Sequence, residues 1–162
     1  MIAAGTVRTQ ATAEVAYVHS TTVTVAGPQA SQIDLLGWGT SSPVVSLQLG
    51  PVLCRVAQPH LTVKHVTEIW RGSAVLARRL PAQLPARLVG RPSMAQHVAG
   101  VVLHLDALPG QSSRLVPPTV PNGLPLLELR IGPVIWLVLD QAAWASMTDI
   151  WEDALGKVAP LA

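Results

Sequence analysis

The side chains that could do chemistry are few and scattered along the chain. Five histidines occur, at His19, His60, His65, His97 and His104. None belongs to an HExxH motif, and His60 and His65 are five residues apart, which places them on different faces of a helix and does not suit a helical metal pair. No phosphate-binding glycine loop, GxSxG or CxxC motif is present. These patterns predict neither a metal site nor a cofactor.

Two further candidates for catalysis are Cys54 and the pair of His104 and Asp106. Cys54 lies in a predicted strand, where a small buried side chain is more typical than a nucleophile. His104 and Asp106 alternate on one face of a strand and could form a hydrogen-bonded pair, but a base oriented by an acid still needs a nucleophile and a pocket. We therefore expect a non-enzymatic protein. The single cysteine excludes an internal disulfide and fits a reducing cytoplasm.

A basic set could bind the phosphates of a nucleic acid. Its members are Lys64, Arg71, Arg78, Arg79, Arg87 and Arg91, and they face only Glu68. A later predicted helix is acidic and carries Asp140, Asp149, Glu152 and Asp153 against Lys157. Opposite charges allow these segments to pair with each other, within the chain or between subunits, or allow the basic one to bind an anionic partner. Two solvated helix faces would give the same pattern.

The elements that carry these residues occur twice. Residues 43–80 and 125–159 share a Gly-Pro step, an apolar run and an Ile-Trp pair at nearly fixed spacing, with offsets of 82 and then 81 positions. Two copies of this length favour a pseudo-twofold pair, comparable to a homodimer fused into one chain, over an open repeat array. The sequence thus predicts an α+β fold with internal duplication of a strand-turn-strand-helix unit.

Each copy is predicted to form a hairpin followed by a helix. Alternating apolar and polar residues precede Gly50 and Gly132, where glycine can adopt the positive φ of a tight turn. Asp140 is expected to cap the second helix, and Pro59 suits the first turn of the first helix. One apolar helical face predicts that Trp70 and Trp151 are core anchors. The second copy's buried positions are Ala143, Met147, Ile150, Trp151, Ala154 and Val158.

The rest of the chain completes two halves. Residues 14–26 and 101–108 are predicted strands, and the stretches 27–43 and 109–125, rich in Gly, Pro and Ser, are predicted loops. A Pro-rich linker at 81–94 separates a first half at 1–80 from a second half at 95–162. The N-terminus has no apolar segment typical of a signal peptide, and no window is long and apolar enough to span a membrane.

Two features indicate a protein partner. The strand at 134–139 is apolar on both faces, which is typical of a strand that is covered on both sides or lies against another subunit, so Val134, Trp136 and Val138 are candidate interface residues. Trp38, flanked by Gly37 and Gly39, could insert into a partner, stack on a base, or fold back over the core. Charged residues are only 12% of the chain, about half the usual share; an alanine-rich globule would also show this.

Two functions remain open. The first is a non-catalytic assembly or adaptor module that binds copies of itself or another protein through apolar sheet surfaces. The second is nucleic-acid binding, because strands followed by a helix, present twice, resemble the Whirly family, whose members bind single-stranded DNA. Such binders combine a basic groove with stacking aromatics, whereas aromatics here are 4% and the net charge is only +2. Residues 127–154 are also similar to proteins of actinobacterial mobile elements, which associates the second function with plasmids or phages.

Overall fold

The computed structural model describes residues 18–85 and 100–161, which form a mixed α+β fold of two four-stranded sheets and two long helices. The strands are β1 (Thr21–Val25), β2 (Ser31–Leu36), β3 (Val44–Leu49), β4 (Val52–Ala57), β5 (Val101–Leu105), β6 (Gln111–Val116), β7 (Leu126–Ile131) and β8 (Val134–Val138). The helices are α1 (Pro59–Gly72), the short α2 (Ala74–Ala77) and α3 (Gln141–Val158), followed by a 3-10 turn, Ala159–Leu161.

Both predicted hairpins are confirmed. β3 pairs with β4 and β7 with β8, each antiparallel. The turn glycines Gly50 and Gly132 have φ values of 58° and 57°, a region in which only glycine is free of Cβ strain. The same turn chemistry therefore produces the same local structure in both halves.

The first strand of each half, β1 or β5, pairs with a strand of the other half. One sheet has the order β1-β8-β7-β6 and is called sheet A; the other has the order β2-β3-β4-β5 and is called sheet B. β1 runs parallel to β8 with Thr21 opposite Val134, and β5 runs parallel to β4 with Val101 opposite Val52. Each sheet thus contains three strands from one half and one from the other.

The prediction that residues 27–43 and 109–125 are loops throughout is wrong. Each stretch contains a strand, β2 or β6, that pairs antiparallel with the next strand of its own half. Both are edge strands and are mostly exposed, so they lack the continuous apolar face that identifies a central strand. Of the predicted strand at 14–26, β1 is confirmed, and residues 14–17 lie outside the described part.

One core joins the sheets and the helices. The inward residues of β3, β4, β7 and β8 are almost fully buried and form a single cluster with the apolar faces of α1 and α3. All six predicted positions on α3 are buried, and Trp70 and Trp151 are 0% and 2% exposed. α1 and α3 also pack on each other, where the Thr67 hydroxyl donates to the backbone oxygen of Trp151 at 3.2 Å. Burying both tryptophans removes a large apolar area from water.

The two long helices begin differently. The Asp140 carboxylate accepts a hydrogen bond from the backbone N–H of Ala143 at 2.8 Å, which confirms the predicted cap. The same buried carboxylate also accepts from the N–H groups of Gly27 and Leu84, at 3.0 and 2.9 Å. Asp140 therefore ties the end of β1 and the segment after α2 to the start of α3. Gln58, at the start of α1, makes no such cap.

Candidate interaction surfaces

The candidate catalytic groups lie in two different environments. Cys54 is fully buried, and this burial raises the pKa of its thiol to about 12, so it is protonated at neutral pH and inert as a nucleophile. His104 and Asp106 lie beside a shallow depression of about 280 Å³ on the outward face of sheet B, which Arg55 also lines. Within residues 18–85 and 100–161, no group of three or more His, Cys, Asp or Glu side chains could hold a metal ion.

The three strand residues predicted to contact a partner point into the core. Val134, Trp136 and Val138 are 1%, 2% and 0% exposed, and the Trp136 ring meets Trp70 of α1 edge to face with centroids 6.2 Å apart. These side chains hold sheet A on the helices. A partner that approaches β8 from outside would meet the alternate residues instead.

The outward face of β8 carries Ile135 and Leu137, both only partly buried. They are flanked on β1 by Thr22 and Thr24, which lie directly opposite them in the parallel register. On the other side, Ile135 lies opposite Arg130 of β7, and the next pair of that register is Leu137 and Glu128. An apolar pair on an inner strand is thus bordered by polar side chains, which is the usual distribution of an interface centre and its rim.

Sheet B differs at the equivalent place. In the shared hairpin pattern, Leu53 and Arg55 of β4 correspond to Ile135 and Leu137, 82 positions later. Arg55 is exposed and lies opposite His104 of β5 and Ser46 of β3. A charged residue in the middle of this face makes it less suited to burial, because a buried charge without a partner is costly.

Trp38 folds against the molecule. It lies between Gly37 and Gly39, whose φ values are 63° and 83°. Its side chain is half-buried and packs on the core cluster. Its ring meets that of His60 at the start of α1, with centroids 5.8 Å apart and an interplanar angle of 64°. The positive φ values let the loop turn back, so the side chain covers the start of α1.

The residues predicted to contact a nucleic acid lie in different environments. Lys64, Arg78 and Arg79 are exposed, and Arg87 and Arg91 lie outside the described residues. Arg71 is engaged: its guanidinium donates two hydrogen bonds to the Glu152 carboxylate on α3. These bonds raise the pKa of Arg71 and lower that of Glu152. One predicted cation is therefore neutralised within the chain.

Arg71 and Glu152 occupy equivalent positions of the two matching sequence segments. They are separated by 81 residues, the offset that also relates Trp70 to Trp151. A second ion pair links Arg114 of β6 to Glu128 of β7, where the Arg114 hydrogen bonds lower the pKa of the Glu128 carboxyl. The opposite charges of the two helices predict that they attract each other, and the pair of Arg71 and Glu152 shows which side chains meet.

No tryptophan offers an open stacking surface on the sheets. Trp70, Trp136 and Trp151 are buried, Trp38 packs on the core, and Trp144 is half-buried with its indole N–H donating to the Ser73 hydroxyl at 2.8 Å. Tyr17, the single tyrosine, lies outside the described residues. Sites for single-stranded nucleic acid combine basic side chains with exposed aromatic rings, and none of the five tryptophans is fully exposed.

The structure contains two grooves that the sequence did not predict, each between a long helix and an edge strand. The larger, about 540 Å³, separates α3 from the start of β2; the smaller, about 340 Å³, separates α1 from β6. They could not be located without knowing that β2 and β6 are strands. The signal was weak: in SQIDLL, Ile33 and Leu35 alternate with Gln32 and Asp34, the period of a strand.

Comparisons with known proteins do not indicate a function for this chain. No protein-family model matches the chain, and no curated protein or solved structure is detectably similar to it. Within the described ranges, none of the helices has the length and apolar character needed to cross a membrane.

Proposed function

We propose that this protein is a non-catalytic assembly module that associates with a second copy of itself through the outward face of sheet A. The observation that carries the proposal is the pair Ile135 and Leu137, which leaves an inner strand apolar on its outward face as well as its inward one. An inner strand of this kind is usually covered on both sides. The polar border of Thr22, Thr24 and Arg130 completes an interface pattern.

The low charge of the whole chain supports the same function. A charged fraction of 12% leaves few residues to keep large surfaces in water. Val102, at 56% exposure on β5, and Leu36, at 45% on β2, show that sheet B also exposes apolar side chains. Sheet B nevertheless places Arg55 at its centre, so sheet A is the better surface for a copy of itself.

We infer also that the two halves descend from one β-β-β-β-α unit that acted as a homodimer. In support, the strand order is the same in both halves, and Thr21 with Val134 repeats the register of Val101 with Val52. A homodimer would place identical residues opposite each other where Arg71 now meets Glu152. Fusion allows the two positions to diverge, and opposite charges remove the repulsion.

The test is the mass of the particle in solution, measured by light scattering behind a sizing column over a range of protein concentrations. We expect a dimer of the wild type and a monomer of Leu137→Arg. The fold should tolerate this change because Arg55 occupies the equivalent place in sheet B. Burying an added charge at an interface centre should weaken association by roughly 100-fold.

The matched control is Val102→Arg, which adds the same charge to the outward face of sheet B and should leave the dimer intact. Circular dichroism on both variants checks that each is folded. A wild type that stays monomeric at all concentrations overturns the proposal. If that monomer takes up a single-stranded oligonucleotide at low salt and releases it as salt rises, nucleic-acid binding replaces assembly as the function.

A further inference from the structure

The free edge of β2 lies at the border of sheet B. β2 pairs only with β3 in the described part of the chain, and five of its six residues are exposed. In an antiparallel pair, alternate residues of an edge strand direct their N–H and C=O groups away from the partner. Such groups can pair with an added strand unless the edge is blocked. β2 contains no proline, and its single charged residue is Asp34.

α3 lies beside the start of this strand. The backbone N–H of Gln29 donates to the Ser146 hydroxyl at 2.9 Å, which fixes the start of β2 next to the helix. Beyond this contact the groove of about 540 Å³ opens between Ser31 and the helix. Ala142 and Ala145 line its helix side, and their small side chains leave room for a polypeptide backbone to lie along it.

The groove is acidic. Asp149 is exposed on its wall and Asp153 follows one turn later, with Ile150 buried between them. Lys157 reaches Asp153 at 3.7 Å, so only part of this charge is compensated on the helix. A segment with basic side chains is therefore complementary to the groove.

The equivalent groove of the other half has a different character. It lies between α1 and β6 and is lined by Glu68 and His65, with Gln111 and Ser113 on the strand. His65 Nε2 lies 3.1 Å from the backbone oxygen of Pro109 and so spans the gap between helix and strand. The volume is smaller, about 340 Å³. This groove therefore serves as a control for binding experiments on the groove between β2 and α3.

We propose that the groove between β2 and α3 binds a basic segment of another protein in an extended conformation, which adds to β2 as a fifth strand of sheet B. Backbone hydrogen bonds to the edge supply affinity, and the carboxylates of α3 select basic side chains. The site is at the edge of sheet B, away from the outward face of sheet A, so it does not depend on self-association.

The test is fluorescence anisotropy with a labelled peptide of about six residues, the usual strand length, in which lysine alternates with valine or threonine. At an ionic strength of about 0.15 M, where surface charges are largely screened, we expect saturable binding to the full chain. Asp149→Lys should weaken binding by about tenfold or more. Glu68→Lys, the same change in the equivalent groove, should leave it unchanged.

Two N-methylated versions of the peptide test the strand geometry. One carries methyl groups on the odd amides and the other on the even amides. Because only one edge of an added strand faces β2, one version should lose binding and the other should keep it. The proposal is overturned if the peptide does not bind, or if Asp149→Lys and Glu68→Lys weaken binding equally. It is also overturned if both methylated peptides bind equally, because that would indicate charge attraction alone.

Discussion

The junctions that lead into α1 and α3 follow the same hairpin, yet they are built differently. At α1 the backbone makes the turn: Gln58 adopts a left-handed conformation with φ of 49°, and Pro59 begins the helix. At α3 a side chain makes it: Asp140 is extended, and its carboxylate accepts from Gly27, Leu84 and Ala143. Equivalent positions can thus keep one fold while they differ in what stabilises them.

The difference follows from what each junction touches. The segment after α2 returns to the start of α3, where the N–H of Gln141 donates to the Pro81 oxygen at 2.9 Å and that of Ala142 to the Ala82 oxygen at 3.1 Å. Asp140 therefore has three backbone donors within reach. A connection between the halves thus accounts for one of the clearest differences between them.

Truncation of the two equivalent tryptophans tests where the halves agree. Trp70→Ala and Trp151→Ala should each lower the free energy of unfolding by roughly 3–5 kcal/mol, because each removes a buried aromatic side chain. Trp70 should cost slightly more, since it also meets the Trp136 ring. Denaturant titration measures both. A loss below about 1 kcal/mol for either would mean that its helix face is oriented differently from the other.

Substitution of the junction residues tests where the halves differ. Asp140→Ala should cost about 2–3 kcal/mol, because a helix cap is lost and the N–H groups of Gly27 and Leu84 lose their acceptor. Gln58→Ala should cost less than about 0.5 kcal/mol, since no side-chain cap is removed. The same titration measures both, and equal losses would contradict the distinction. Asp140→Asn, which keeps an acceptor oxygen, should recover part of the loss.

Reversal of the charge between the helices tests the contact of Arg71 with Glu152. Glu152→Arg places arginine at both equivalent positions and should lower stability through like-charge repulsion. Arg71→Glu combined with Glu152→Arg should return stability to near the wild-type value, because the pair is reformed in the opposite sense. A double-mutant cycle measures the coupling. If the double variant is no more stable than Glu152→Arg alone, the two side chains do not interact.

Acid should weaken the same contacts slightly. Hydrogen bonds from Arg71 and Arg114 lower the pKa values of Glu152 and Glu128 below the ordinary 4.5. The folded state then binds fewer protons than the unfolded state, so this stabilisation is complete above pH 4.5 and is lost as pH falls through the lowered values. Urea titrations across this range should show a smaller decline for Glu152→Gln than for the wild type. An identical decline would show that Glu152 makes no contribution.

The local elements could be predicted from the sequence because short-range rules govern them. Gly50 and Gly132 required positive φ, Asp140 suited a cap, and helical spacing placed Trp70 and Trp151 inside. The six positions predicted to be buried on α3 are all buried, since an amphipathic face is a property of the segment itself. Thr148, which is also buried, was missed because it is not apolar. The basic and acidic helices also suggested mutual attraction before their contacts were known.

The tertiary structure alone decided three things. β2 and β6 are strands because a neighbouring strand supplies their hydrogen bonds, while their own residues carry at most a weak strand pattern. The parallel pair of β1 with β8 joins residues more than 100 positions apart, and that of β4 with β5 joins residues more than 40 positions apart. No local sequence pattern encodes such a pairing. The inward direction of Val134, Trp136 and Val138 depends on which face of β8 the helices cover. Local chemistry selects the elements, whereas their partners are selected by burial of the whole chain.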